Sequence, residues 1–89
     1  MNSRTTKRFR DALAALPADI QRRAREAYLL FRQNPHHPSL RFKKVHSMEP
    51  IYSARITLNY RALGVVHNNE IVWFWIGSHA DYENILART

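Results

Sequence analysis

The 89 residues contain no cysteine, so neither a disulfide framework nor a Cys-ligated zinc site can be built. Glycine is almost as scarce, at two residues, and four prolines are too few for a collagen-like or linker-dominated chain. No apolar run approaches the roughly 18 residues of a membrane span. Residues 1–10 lack the apolar core of a signal peptide, and a cytoplasmic protein with no membrane partner is the expectation. Carboxylates are the last shortage: seven Asp and Glu stand against fourteen Lys and Arg, a formal net charge of +7 with the five histidines neutral. That imbalance argues against a surface made for cationic ligands and favours a polyanionic partner: nucleic acid, an acidic protein or an anionic membrane surface. What is plentiful is apolar material, 45% hydrophobic and 11% aromatic, enough to core one domain over residues 1–89.

The charge is unevenly spread. Up to Ser47 there are eleven basic and three acidic residues; beyond it there are three basic and four acidic. Eleven of the fourteen cations are arginine, whose planar fork suits phosphate and carboxylate better than a point charge does.

Hydrophobic spacing then divides the chain into elements. Phe9, Ala12, Leu13 and Leu16 predict a short amphipathic helix over 4–16. Pro17 suits the start of a second helix, with Asp19 favourably placed against its dipole, and Ile20, Ala24, Ala27 and Phe31 form its apolar stripe as far as Asn34-Pro35. The pair should make an antiparallel hairpin whose stripe needs a further surface to bury it. Residues 40–45 alternate Leu40 and Phe42 against Arg41 and Lys43, a strand with a basic face. Residues 51–58 and 60–66 read as two more strands, and Asn68-Asn69 as a hairpin turn. Ile71–Ile76 is apolar on both faces, which fits a central strand, with Trp73 and Trp75 two apart and so expected on one face of the core. Ser78 and Asp81 resemble a capping box before a last helix from Ala80 towards Arg88. The expected fold is α+β: a helical hairpin on one face of a mostly antiparallel four-stranded sheet, with a short C-terminal helix.

Four stretches in this order carry a resemblance: His37-Pro38-Ser39-Leu40, Tyr52-Ser-Ala-Arg55-Ile, Asn59-Tyr60-Arg61-Ala-Leu-Gly64-Val, and Trp75-Ile-Gly-Ser-His79-Ala-Asp81-Tyr82. With them nearly the whole chain resembles the RelE/ParE superfamily of type II toxin–antitoxin toxins. The resemblance implies one of two activities, messenger-RNA cleavage in the ribosomal decoding site or poisoning of DNA gyrase, and in either case an acidic antitoxin partner. A non-toxic binding protein of the same fold is the third class.

Cleaving RNA without a metal requires a base for the 2′-OH proton, an acid for the leaving 5′ oxygen, and positive charge against the phosphorane-like transition state. His79, at the end of the last strand, is the proton-transfer candidate, and the resemblance extends to it a role held by a histidine in a similar Gly-Ser/Thr-His setting; capping or packing is its other reading. Arg61 and Arg55 are the phosphate-holding candidates that the resemblance implies; the competing role for Arg61 is a salt bridge to Glu49, Glu70 or Asp81, or to an antitoxin carboxylate. Tyr82 is a candidate for base stacking or proton transfer, against packing on Trp75 or on the second helix. Arg41, Lys43 and Lys44 form a cluster suited to tracking an RNA backbone. His36, His37 and His46 lack the spacing of a metal site, and no metal or cofactor is expected. The second half offers only Arg55, Arg61 and Arg88 as cations, fewer than ribonuclease members commonly carry, which keeps the gyrase branch open.

Overall fold

A computed structural model describes residues 1–88. Two α-helices, α1 (Lys7–Ala14) and α2 (Ala18–Gln33), lie on one face of a five-stranded sheet of order β1-β5-β4-β3-β2. Its strands are β1 (Asn2–Thr5), β2 (Lys43–Lys44), β3 (Ile51–Thr57), β4 (Tyr60–His67) and β5 (Glu70–Ser78), and α3 (His79–Arg88) follows the last. The α+β class and the hairpin-sheet-helix order are as the sequence predicts.

One strand more than expected is present, formed by residues just before and at the start of the expected first helix. Asn2–Thr5 pairs in parallel with β5, and Trp73 Nε1 donates to Ser3 Oγ at 3.0 Å. The helix then starts at Lys7 because Thr6 caps it, its Oγ1 accepting from the Phe9 N–H at 3.1 Å. The expected strand over 40–45 shrinks to Lys43–Lys44, since Pro38–Leu40 forms a 3-10 turn and Arg41 takes a left-handed backbone at φ 45°. Leu40 turns inward and is only 2% exposed.

The helices are also not all on one side. Phe31, Ala54, Ala62, Ile71, Trp73 and Ile76 form the core beneath α1 and α2, where Phe31 meets Phe42 and Trp73 edge-on at 5.0 and 5.3 Å. On the opposite face Ile51, Leu63 and Trp75 pack with Tyr82, Ile85 and Leu86 of α3. Burying a side chain such as Phe31 or Leu63 contributes roughly 2 kcal/mol each. Trp73 and Trp75 therefore belong to different cores, against the expectation from their spacing. The register explains this: Gly64 faces Trp73 but Leu63 faces Trp75, so Phe74 is an extra residue that flips the alternation. Asn68 and Asn69 both have positive φ, at 50° and 60°, as their hairpin turn requires.

Between α1 and α2 the sheet is incompletely covered. A cleft of about 460 Å³ opens there, floored by Ala54, Ala62 and Trp73, with Arg10, Arg25 and the 57%-exposed Leu29 among its lining residues.

Candidate functional site

The short turn between β3 and β4 fixes the geometry of the site. Arg55 and Arg61 are direct cross-strand partners, so both project on the α3 face of the sheet. Arg61 curls back over the turn, where its Nη1 donates to the carbonyls of Thr57 (2.8 Å), Leu58 (3.1 Å) and Tyr60 (3.0 Å). No carboxylate pairs with either arginine among the described residues, so an ion pair of Arg61 with Glu49, Glu70 or Asp81 is not formed within the chain. Burial, and then the charge of Arg55, pull the Arg61 guanidinium below its usual value; Tyr82 opposes the shift and Arg41 adds a smaller lowering. Arginine stays protonated regardless, so the shift marks crowding of positive charge and not a titration.

His79 enters the same end of the sheet from β5. Its N–H donates to the Asn59 carbonyl at 2.7 Å, which ties the start of α3 to the β3–β4 turn. Ser78 caps the helix, with Oγ accepting from the Asp81 N–H at 3.1 Å, so the expected cap is formed by Ser78 and not by His79. The imidazole is free to do something else. It stacks on Tyr82, with ring centroids 5.5 Å apart and planes 22° apart, and Nε2 lies 3.2 Å from Glu83 Oε1. Tyr82 is half-buried against the Trp75 core, so packing and a site role coincide in one ring.

The structure therefore brings Arg55, Arg61, His79 and Tyr82 to one rim. Arg41 joins them electrostatically through its influence on Arg61. Lys43 and Lys44 do not form one patch with it: paired with Ser53 and Tyr52, they point to opposite faces of the sheet edge. Sequence reasoning missed Glu83, although its place four residues after His79 on a helix was a readable signal. It also missed the Asn59 carbonyl, which no side-chain pattern could reveal. Among the described residues no group of three or more His, Asp or Glu side chains is arranged to hold a metal ion, and no helix is long and apolar enough to cross a membrane.

Comparison with solved structures finds the same fold in several toxins. The RelE–RelB complex of Pyrococcus horikoshii matches at 21% identity and a TM-score of 0.68, covering 86% of this chain and 92% of that one. The RelB–RelE antitoxin–toxin complex of Methanococcus jannaschii matches at 20% identity and 0.69, over 91% and 95%. YafQ of Escherichia coli matches at 10% identity and 0.70, over 91% and 96%. Comparison with curated proteins gives no significant match. The ParE-like toxin domain matches residues 18–84, from the start of α2 through the His79–Tyr82 pair. Since this match spans well over half of the sequence and includes the β3–β4 turn, the chain belongs to the ParE-like toxin domain family, within the RelE/ParE superfamily of type II toxin–antitoxin toxins.

Proposed function

We propose that the protein is the toxin of a type II toxin–antitoxin module and that it cleaves messenger RNA on the ribosome without a metal ion. The observation that carries this reading is the paired Arg55 and Arg61 beside His79 stacked on Tyr82. In such a cleavage a ribose 2′-oxygen attacks the adjacent phosphorus, the bond to the 5′ oxygen breaks, and a 2′,3′-cyclic phosphate and a free 5′-hydroxyl result. His79 transfers protons, with Glu83 orienting its ring, and Tyr82 stacks on a base or supplies the second proton-transfer group. Arg55 and the Nε and Nη2 of Arg61, which make no hydrogen bond among the described residues, hold the phosphate as its charge grows. Arg61 is already fixed on the turn carbonyls, so it needs little reorganisation when substrate arrives.

The reading includes an antitoxin. The excess of unpaired arginines favours an acidic segment, and the apolar cleft between α1 and α2, with Arg10 and Arg25 lining it, offers a place for its apolar side chains. The test is to add purified protein to ribosomes translating a defined message and map the 5′ ends. Cleavage lost in His79→Ala supports the assignment, and intact message at toxin excess overturns it.

A second reading, non-hydrolytic inhibition of DNA gyrase, is favoured by the family description and by Arg22, Arg23 and Arg25 on the exposed side of α2. It predicts that Arg23→Glu, and not His79→Ala, abolishes toxicity. Undiminished gyrase supercoiling at toxin excess would sink it. Normal growth under strong induction would reject both toxin readings in favour of a non-toxic binding protein.

A further inference from the structure

A second cleft, of about 520 Å³, lies between α2 and the edge of β3, and three arginines from three separate elements line it: Arg23 of α2, Arg41 after the 3-10 turn, and Arg55 of β3. Glu26 is the single carboxylate in its wall, and none of these four groups forms an ion pair among the described residues. Three like charges around one cavity repel each other, so an unneutralised arrangement of this kind is most stable with an anion in it.

Arg41 is held there at a cost. Its φ of 45° and ψ of 42° are left-handed, which a side chain of this size rarely adopts. The turn imposes it. Leu40 is locked in the core at 2% exposure, His37 Nδ1 accepts from the Ser39 N–H at 3.2 Å, and the Arg41 N–H donates to the Pro38 carbonyl at 3.3 Å. Backbone strain that the surroundings over-determine in this way is characteristic of a placed functional group. The edge beside it is open, because β2 covers β3 only at Tyr52 and Ser53, and a register shift between Arg55 and Thr57 bends the strand just beyond.

We propose that this cleft holds the backbone of single-stranded RNA, with Arg23, Arg41 and Arg55 on successive phosphates and Leu58 against a base or sugar. Three observations select this occupant. Arg55 sits on β3 beyond the last β2 pairing, where the sheet edge is open, and there it both lines the cleft and stands opposite Arg61, so a chain lying in the cleft continues around that edge onto the position proposed for the scissile phosphate. The guanidinium forks come from different elements and can each grip a separate phosphate. Leu58, 67% exposed, and the neighbouring Ile56 and Leu30 give an unstacked nucleotide an apolar surface, which the bases of a duplex, already stacked on one another, do not need. The proposal rests on the RNA reading of the function, and adds a binding segment away from the reacting groups.

The test uses the intact protein and a fluorescent single-stranded RNA with 2′-O-methyl riboses, which cannot be cleaved, with anisotropy read at several salt concentrations. Arg23→Ala should weaken binding about threefold or more and lower the slope of log K against log salt by about 0.7, the value for one lost phosphate contact on a single strand. Arg8→Ala, a charge-matched change on α1, should do neither. Unchanged affinity and slope in Arg23→Ala, an equal loss in Arg8→Ala, or equally strong competition by an octaglutamate peptide would each overturn the cleft assignment. The two failures are separable: Arg23-dependent binding with no message cleavage retains the cleft and removes the nuclease, while cleavage with Arg23-independent binding does the reverse.

Discussion

Arg55 and Arg61 stand directly opposite one another on β3 and β4, two guanidiniums on one sheet face with no carboxylate paired to either among the described residues. They are not equivalent. The Arg61 side chain closes three carbonyls of the turn, whereas the Arg55 side chain makes no hydrogen bond among the described residues and faces a like charge. Like charges directly across a ladder destabilise it, so the pair is kept at some expense to the fold.

The asymmetry separates stability from activity. Arg61→Ala leaves the turn carbonyls without their charged donor and is expected to cost about 1–2 kcal/mol, read as a lower urea midpoint. Arg55→Ala removes repulsion and should leave stability within about 0.5 kcal/mol of the parent, or slightly above it. Cleavage of ribosome-bound message should fall in both. If Arg55→Ala destabilised as much as Arg61→Ala, Arg55 would be structural and its phosphate-holding role would fail.

Tyr82 allows a similar separation at one ring. Its aromatic body packs on the Trp75 core and stacks on His79, while its hydroxyl makes no hydrogen bond among the described residues. Tyr82→Phe should therefore fold with an unchanged melting temperature and keep its affinity for the uncleavable RNA. If the phenol transfers a proton, the same change lowers single-turnover cleavage by at least about a hundredfold; an unchanged rate assigns the ring to stacking alone. Tyr82→Ala removes the packing as well and should cost about 3 kcal/mol.

The parts of the fold legible in the sequence were those with a strong period or a distinctive turn. The α2 stripe through Ala24 and Phe31, the alternation of β3, and the Asn68-Asn69 turn all stand where their pattern placed them. The misses share a cause: the deciding interaction was long-range. Asn2–Thr5 has no apolar alternation, and it is a strand only because β5 offers it an edge and Trp73 reaches Ser3. The split of Trp73 from Trp75 depends on a bulge set by the partner strand, invisible to an i, i+2 rule. At the site the four rim residues could be nominated from the family-like segments, but the Arg61 contacts with the turn and the entry of Arg23 from α2 required the fold.

Gly77 links the sheet to the site and gives a test of packing. It faces Arg61 across the ladder, and the Trp75 indole lies so close over it that an added Cβ would come within 2.6 Å of the ring. Gly77→Ala should force the indole to move, costing about 1–3 kcal/mol in denaturant unfolding. The displacement should also register as a changed tryptophan emission spectrum. Parent-like stability with parent-like emission would show that the Trp75 core is looser than this contact implies.

The strained backbone at Arg41 yields the sharpest opposition between folding and binding. Arg41→Gly relieves the left-handed conformation, worth about 1 kcal/mol, and part of the gain is offset by the freer unfolded chain of glycine. The expected result is a stability equal to the parent or higher by about 0.5 kcal/mol, with RNA binding weakened. Arg41→Val removes the same guanidinium but places a β-branched side chain at φ 45°, and should be less stable than the parent by about 1 kcal/mol or more. If Arg41 serves the cleft, the two variants lose RNA affinity to the same extent although their stabilities move apart. Binding that instead followed stability, intact in Arg41→Gly and impaired in Arg41→Val, would mean that the turn matters only for its shape and that the arginine is incidental to the strain it bears.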